Sequence, residues 1–394
     1  GDISDLAPWG GRAAGIQTPP RRVLTRAVMT TIPEKTLTET CRPSAETDRR
    51  LMAGAIALAW RGVGRTAPNP AVGAVVYQPW SGQIVGRGWT QPGGRPHAEP
   101  VALARAGEAA RGATLYVTLE PCAHHGRTPP CTDAIIAAGI ARVVHGITDP
   151  DPRVAGRGLR LLQEAGIETG TSVLRDLARE VTIGHILRVS ERRPHITLKI
   201  AVDGQGRVPE GREGKPTWVT GAMARARGHL MRAEADAILV GRGTAEADDP
   251  GLDCRLPGVS DQSPLPVVLS ASARLSSGFE LFAQDRTAPR PIVFVGADAG
   301  QDARAALEDR GIELVEVGVV GGRLWIPAVL EALVERGITR LLVEGGPAIW
   351  HAFDRAGMVD EVALFRGGRG RERPFDSVEA RQMLAGYVSL TPLE

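Results

Sequence analysis

The strongest constraint on the fold is a series of short strand-like runs set between helix-patterned stretches. TLYVTLE (114–120), ARVVHGI (141–147), ADAILVG (235–241), PLPVVLS (264–270) and PIVFVG (291–296) read as strands. The last three are apolar along their length, as expected where both faces of a sheet are covered. Among the helical stretches, TDRRLMAGAIALAWRG (47–62) repeats apolar Leu51, Ala55, Leu58 and Ala59, with Thr47 as expected cap and Gly62 as stop. HAEPVALARAG (97–107), CTDAIIAAG (131–139), GLRLLQEAG (158–166) and AMARARGHLMRAEA (222–235) continue the series. PNPAVGAVVY (68–77) is a breaker followed by a strand, which PWSG turns back into QIVGRGW (83–89). Elements alternating at this length specify α/β layers.

The 394 residues suffice for two domains. A break falls at Glu191–Pro194, after which ITLKIAV (196–202) restarts the pattern, a glycine-rich loop and WVT (218–220) follow, and a helix at Ile326–Arg336 and the strands RLLVEGG (340–346) and EVALF (361–365) come later. The expected domains are therefore 46–190 and 192–394. Residues 1–45, rich in Pro, Thr and Arg and without sustained periodicity, are expected to form a flexible tail. They carry no apolar segment with a cleavage site, and Met29 is a candidate natural start. There is no evident internal repeat. No apolar run approaches the roughly 18 residues a membrane span needs. A formal charge of +2 gives no global pull toward nucleic acid or anionic lipid, and 4% aromatic residues leave few rings for stacking bases. Four cysteines fit a reducing compartment, so a cytoplasmic location is expected.

Two of those cysteines frame LEPCAHHGRTPPC (119–131). Upstream, His97 opens a helix and Glu99 lies two residues on; Cys122 follows a strand and Cys131 precedes a helix. One imidazole and two thiolates supply three ligands for a tetrahedral zinc ion and leave a position for water, whose pKa such an ion lowers to about 7. Glu99 need not bind metal; it can take the water's proton and pass it on to a ring nitrogen and a leaving amine. His-x-Glu followed by Pro-Cys and another cysteine is the pattern of zinc nucleobase deaminases. There two residues usually separate the cysteines; here eight do. The insert carries His124, His125, Arg127 and Thr128, a set suited to an anion pocket beside the metal. A free base needs no such pocket, whereas a phosphorylated, nucleotide-like substrate does.

TAPNPAVGAVV (66–76), GRPHAEPVAL (94–103), GATLYVTLEPCAHHGRTPPCTDAIIAAG (112–139) and DPDPRVAGRGLRLLQEAGI (149–167) resemble a known family. It is that of the bacterial bifunctional riboflavin biosynthesis proteins, which join a diaminohydroxyphosphoribosylaminopyrimidine deaminase to a 5-amino-6-(5-phosphoribosylamino)uracil reductase. The resemblance implies a cytidine-deaminase-like three-layer domain with zinc on His97, Cys122 and Cys131 and Glu99 as proton shuttle. It also implies substrate contacts from Asn69, His124 and Arg127. One departure is Thr90, where family members commonly carry a histidine seven residues before the zinc histidine.

In the second half no strand-linked GxGxxG opens a helix, so a Rossmann site is not supported. VEGGPAIWHAF (343–353) sets two glycines between a strand and a helix N-terminus, where free N–H groups can hold a phosphate. GRGTAEADDPGLDCR (241–255) is a polar loop in which Asp248, Asp249 and Arg255 either grip ribose or phosphate or form a solvated turn. LKIAVDGQGRV (198–208), residues 216–255 and LLVEGGPAIWHAF (341–353) resemble the reductase part of the same family, which implies a dihydrofolate-reductase-like fold. The resemblance implies NADPH contacts at Ala201, Trp218, Thr244 and Asp248, and at Gly346, Pro347, Ala348, Ile349, Trp350, His351 and Ala352. It implies substrate contacts at Arg232, Leu252, Arg255 and Glu344, and homo-oligomers. Gln205 stands where the family usually has aspartate, and Pro216 where a substrate-binding serine is common. After LFRGG the C-terminus keeps little of the family pattern.

The expected enzyme deaminates a pyrimidine ribotide with zinc and then reduces its ribosyl chain with NADPH, with a small molecule as partner and neither nucleic acid nor membrane. The alternatives are a deaminase with a silent second domain, motivated by Gln205 and Pro216, a nucleic-acid-editing deaminase, and a non-catalytic interaction protein.

Overall fold

The computed structural model describes residues 42–126, 128–151, 155–170, 172–203, 221–286 and 288–366. A first sheet has the order β2-β1-β3-β4-β5, from β1 (Gly73–Gln78), β2 (Gln83–Trp89), β3 (Thr114–Leu119), β4 (Arg142–Ile147) and β5 (Glu168–Thr169). β1 runs antiparallel to β2 and β3, while β3, β4 and β5 are parallel. Helices α1 (Ala45–Ala59) and α5 (Arg175–Ser190) cover one face, and α2 (Ala98–Ala106), α3 (Cys131–Ala137) and α4 (Arg157–Glu164) the other.

The start of α1 corrects the expected cap. Ser44 is the N-cap, its hydroxyl accepting the Thr47 amide at 3.2 Å. A cap side chain reaches the amide two or three positions ahead, so the serine rather than the threonine performs the role. The α-helix closes at Ala59, and a 3-10 turn, Trp60–Gly62, completes it.

A second sheet is parallel throughout, in the order β10-β9-β8-β7-β13-β6-β14. Its strands are β6 (His195–Val202), β7 (Ala237–Gly241), β8 (Leu265–Leu269), β9 (Ile292–Gly296), β10 (Glu313–Val317), β13 (Arg340–Val343) and β14 (Glu361–Arg366). A short ribbon of β11 (Val319–Val320) and β12 (Arg323–Leu324) stands apart. The helices are α6 (Ala222–Ala233), α7 (Arg242–Asp248), α8 (Gln301–Glu308), α9 (Ile326–Glu335) and α10 (Pro347–Arg355). The expected strand WVT lies outside the described residues.

The apolar runs have a clear cause. Ala237 and Leu239 of β7 join a core with Val329 and Leu333 of α9 and Phe353 of α10. Ile238 and Val240 join a different one, with Met231 of α6, Ala245 of α7 and Leu307 of α8. Successive strand side chains point to opposite faces, so a strand covered on both sides is apolar at every position. Each fully buried Leu or Ile contributes roughly 1.5–3 kcal/mol.

The two sheets meet between α5 and the start of β13. Arg340 donates to the carbonyls of Glu180 and Val181 at 2.8 and 3.2 Å. Asp236 fixes the strand entry by accepting from the Thr339 hydroxyl and amide and the Arg340 amide, at 2.6, 2.8 and 2.9 Å. Among the described residues no helix is long and apolar enough to cross a membrane.

Candidate active sites

His97 occupies the N-cap position of α2, and Cys131 is the first residue of α3. Cys122 lies between the end of β3 and the insert. The donor atoms of these three residues all fall within 4.8 Å of one another. His97 Nδ1 is 3.4 Å from Cys131 Sγ and 3.7 Å from Cys122 Sγ. A tetrahedral ion with bonds of about 2.3 Å to sulfur and about 2.0 Å to nitrogen sets such atoms roughly 3.5 Å apart, so the donors fit zinc. The Cys131 amide donates to Cys122 Sγ at 3.3 Å.

The electrostatics agree with that fit. A hydrogen bond from the Cys131 thiol, acting against burial, draws Cys122 down to about 4. The same bond, with burial, pushes Cys131 well up. His97 is raised, first by its hydrogen bond to Cys122, and the Arg95 charge opposes this. Two sulfurs sharing a proton beside an imidazole form a donor set that a dication completes. Glu99, in the first turn of α2, is buried, and burial followed by the Cys122 charge lifts its carboxyl to about 7. A carboxyl titrating there can both take and return a proton near neutrality.

Asn69 reaches the same region, donating from Nδ2 to the Gly94 carbonyl at 3.1 Å. Gly94 has φ 82°, and a Cβ there would fall 2.1 Å from Asn69 Nδ2, so the contact requires glycine. His124 is exposed on the insert, and Arg127 lies outside the described residues. Thr90 is buried, and its hydroxyl accepts the Val72 amide at 3.0 Å. That hydroxyl is committed to the backbone.

Two residues here escaped the sequence reading. Arg95 donates to Thr128 Oγ1 at 2.5 Å, joining the segment before His97 to the insert. Glu120 is buried two residues before Cys122 and accepts the amides of Gly156 and Gly158 at 3.0 Å and of Asp149 at 3.3 Å. Gly156, the N-cap of α4, has no side chain to offer, so Glu120 serves the free amides instead.

In the second sheet a cleft of about 930 Å³ opens at the ends of β6, β7 and β13. Ala201, Arg232, Thr244, Asp248, Leu252, Arg255 and Glu344 line it, with Gly346, Pro347, Ala348, Ile349 and Trp350. His351 and Ala352 follow on α10 and do not line it, and Trp218, Gln205 and Pro216 lie outside the described residues. The tight strand-to-helix junction requires Gly345, whose Cβ would meet Ile349 at 2.7 Å. A Cβ on Gly346 would meet only Thr244 Oγ1, 3.9 Å away, so space before α10 is open to a ligand.

Glu344 organises the floor. Arg232 grips it with two nitrogens at 2.9 and 3.0 Å, and Lys199 Nζ lies at 3.1 Å. Burial alone would raise the Glu344 carboxyl, but Lys199 and Arg232 overcome that and hold it far below the usual range. Lys199 is a further residue the sequence reading missed. Its signal is a cation inside an apolar strand, on the same alternating side as Ala201. The loop at 241–255 differs from expectation: its first half is helix α7, stopped by Asp249 at φ 39°. Asp249 accepts the Glu280 amide at 2.8 Å, which gives it a structural task, and Arg255 pairs loosely with Asp253 at 3.6 Å.

Comparison with known proteins assigns a family to each half of the chain. Residues 45–147 match the cytidine and deoxycytidylate deaminase zinc-binding region, and residues 194–390 match the RibD C-terminal domain. The protein is thus an enzyme of the class that couples a zinc-type deaminase domain to a reductase domain. The riboflavin biosynthesis protein RibD of Aquifex aeolicus is 38% identical over 320 residues, covering 81% of this chain and 86% of the relative. That of Escherichia coli is 38% identical over 329 residues, covering 81% and 87%. The solved structure of Acinetobacter baumannii RibD superposes with a TM-score of 0.70 at 33% identity, covering 84% of this chain and 89% of that one. The Thermotoga maritima diaminohydroxyphosphoribosylaminopyrimidine deaminase/5-amino-6-(5-phosphoribosylamino)uracil reductase gives 0.70 at 35%, covering 83% and 89%. The chain belongs to the RibD family of riboflavin biosynthesis proteins.

Proposed function

We propose that residues 46–190 form a domain that hydrolytically deaminates 2,5-diamino-6-ribosylamino-4(3H)-pyrimidinone 5′-phosphate. In the same reading residues 192–394 reduce the ribosyl chain to ribityl with NADPH, giving 5-amino-6-ribitylamino-uracil 5′-phosphate. The observation that carries this reading is the convergence of His97, Cys122 and Cys131 on one point beside buried Glu99. His97 Nδ1 and the two sulfurs hold zinc, which when bound supplies Lewis-acid activation of water. Glu99 carries one proton of the attacking water to the ring nitrogen and then the second to the amine, which leaves as ammonia. Burial raises the Glu99 carboxyl above the ordinary carboxylate range, which favours the protonated form from which it donates. Asn69, His124 and Arg127 orient the substrate.

Ala201, Thr244, Asp248 and the start of α10 in the cleft hold NADPH together with Trp218, and the cofactor supplies the hydride. Arg232, Leu252, Arg255 and Glu344 hold the opened ribose. Lys199, positioned by Glu344, donates a proton to the oxygen that gains negative charge. The intact grouping of Lys199, Glu344 and Arg232 supports an active reductase over a silent one. The substrate is a small molecule, the enzyme a cytoplasmic homo-oligomer without nucleic-acid or membrane partners.

The test is ammonia release from the diaminopyrimidinone ribotide by the zinc-loaded protein and by Glu99→Gln. Release by the parent and its loss in a variant that keeps its zinc support the reading. Equal turnover by the variant removes Glu99 from the role.

A further inference from the structure

Three segments close on the deaminase centre: Asn69 and its turn, the segment Gly94–His97, and the insert after Cys122. Arg95 bridges the second and third. Its backbone is extended (φ −150°, ψ 148°), its side chain half-buried, and one guanidinium nitrogen donates to Thr128 Oγ1. A second nitrogen stands over the insert backbone, 3.6 Å from where a Gly126 Cβ would be. Among the described residues the Thr128 bond is the one hydrogen bond this guanidinium makes, and no carboxylate pairs with it. A guanidinium offers five N–H donors in a fixed fork, so most of its capacity is unused.

The geometry points to Arg95 as a substrate-contacting residue that reads the phosphate of the ribotide from the edge of the insert. This rests on the substrate reading given above. A half-buried guanidinium tethered by a neutral hydroxyl is pre-oriented, so little side-chain freedom is lost when an oxyanion arrives. Asn69 steadies the same segment through the Gly94 carbonyl, which fixes the distance between this cation and the metal ligands. Arg95 therefore selects substrates that bear an anion at one set distance from the reacting amine.

The experiment compares kcat/KM for ammonia release from the ribotide and from its dephosphorylated riboside, in the zinc-loaded parent, Arg95→Ala and Arg95→Lys. A charge-assisted contact to phosphate predicts that Arg95→Ala lowers the ribotide-to-riboside ratio by on the order of 10- to 100-fold, chiefly through KM. Arg95→Lys should recover part of that ratio, since it keeps the charge and loses the fork. An unchanged ratio in Arg95→Ala, whether both substrates fall equally or neither falls, makes Arg95 a loop clip and overturns the assignment. A parent that releases no ammonia from the ribotide overturns the substrate reading, and the assignment with it.

Discussion

Glu120→Gln is a change of one atom that should damage both stability and metal binding. The parent carboxylate offers one oxygen to Gly158, with Leu159 more distant at 3.5 Å, and the other to Asp149 and Gly156. In glutamine one of those positions becomes an NH2 group. Whichever way the amide is turned, it sets a donor against two backbone donors in a site only 3% exposed. Each buried amide left without an acceptor costs roughly 1–3 kcal/mol, and partial relaxation brings the total to about 2–4 kcal/mol. Because the amides belong to the loop and helix start packed beside Pro121, the disturbance reaches Cys122, and zinc affinity should fall by on the order of tenfold, as for other groups that support metal ligands. Denaturant unfolding gives the stability change, and competition with a chromogenic chelator gives the affinity. A variant within about 0.5 kcal/mol of the parent and with unaltered zinc affinity refutes the reasoning, since surface substitutions alone have effects that small.

Other expectations concern the metal, the reductase floor and acid stability. Cys131→Ser replaces a buried sulfur ligand by a poor one, and zinc content after dialysis should drop to a minor fraction; full retention breaks the ligand assignment. Lys199→Met should reduce NADPH oxidation by on the order of 100-fold while ammonia release persists, as for loss of a group that stabilises developing charge; normal oxidation removes Lys199 from the chemistry. His195 is depressed to about 4, by burial first and then by Arg340, with Arg193 and Arg179 acting the same way and Asp360 opposing. The unfolded chain takes up this proton below about 6.5 and the folded one only near 4, so stability falls as pH drops between those values. The full loss is about 3 kcal/mol, and unfolding midpoints of His195→Asn should fall less steeply across that window; parallel curves for parent and variant exclude the effect.

What the sequence disclosed follows from where the physics is local. The parallel strands could be read because both faces of β7, β8 and β9 are covered, which leaves no polar position to blur the run. The clustering of His97, Cys122 and Cys131 could be read because each stands at an element end, where spacing survives folding. Residues whose roles depend on distant partners stayed hidden. Glu120 looks like any strand-end carboxylate until the amides of Asp149, Gly156 and Gly158 are placed on it, and Lys199 acquires meaning only when Glu344, 145 positions later, is placed beside it. Thr47 was the natural cap by pattern, but Ser44 lies at the right distance from the free amide. Asp249, open by pattern between a ligand grip and a solvated turn, has its carboxylate on the Glu280 amide. Helix α5, with little contrast between its faces, and strand β10, largely exposed or half-buried, carry weaker patterns than the covered strands.

The central claim is that both domains work in sequence on one substrate. The most direct measurement supplies the zinc-loaded protein with the diaminopyrimidinone ribotide and NADPH and follows ammonia and NADPH absorbance together. The account predicts that ammonia appears first and that NADPH oxidation follows it, and that neither occurs in Glu99→Gln. Ammonia release without any NADPH consumption would contradict it and leave a deaminase attached to a silent second domain.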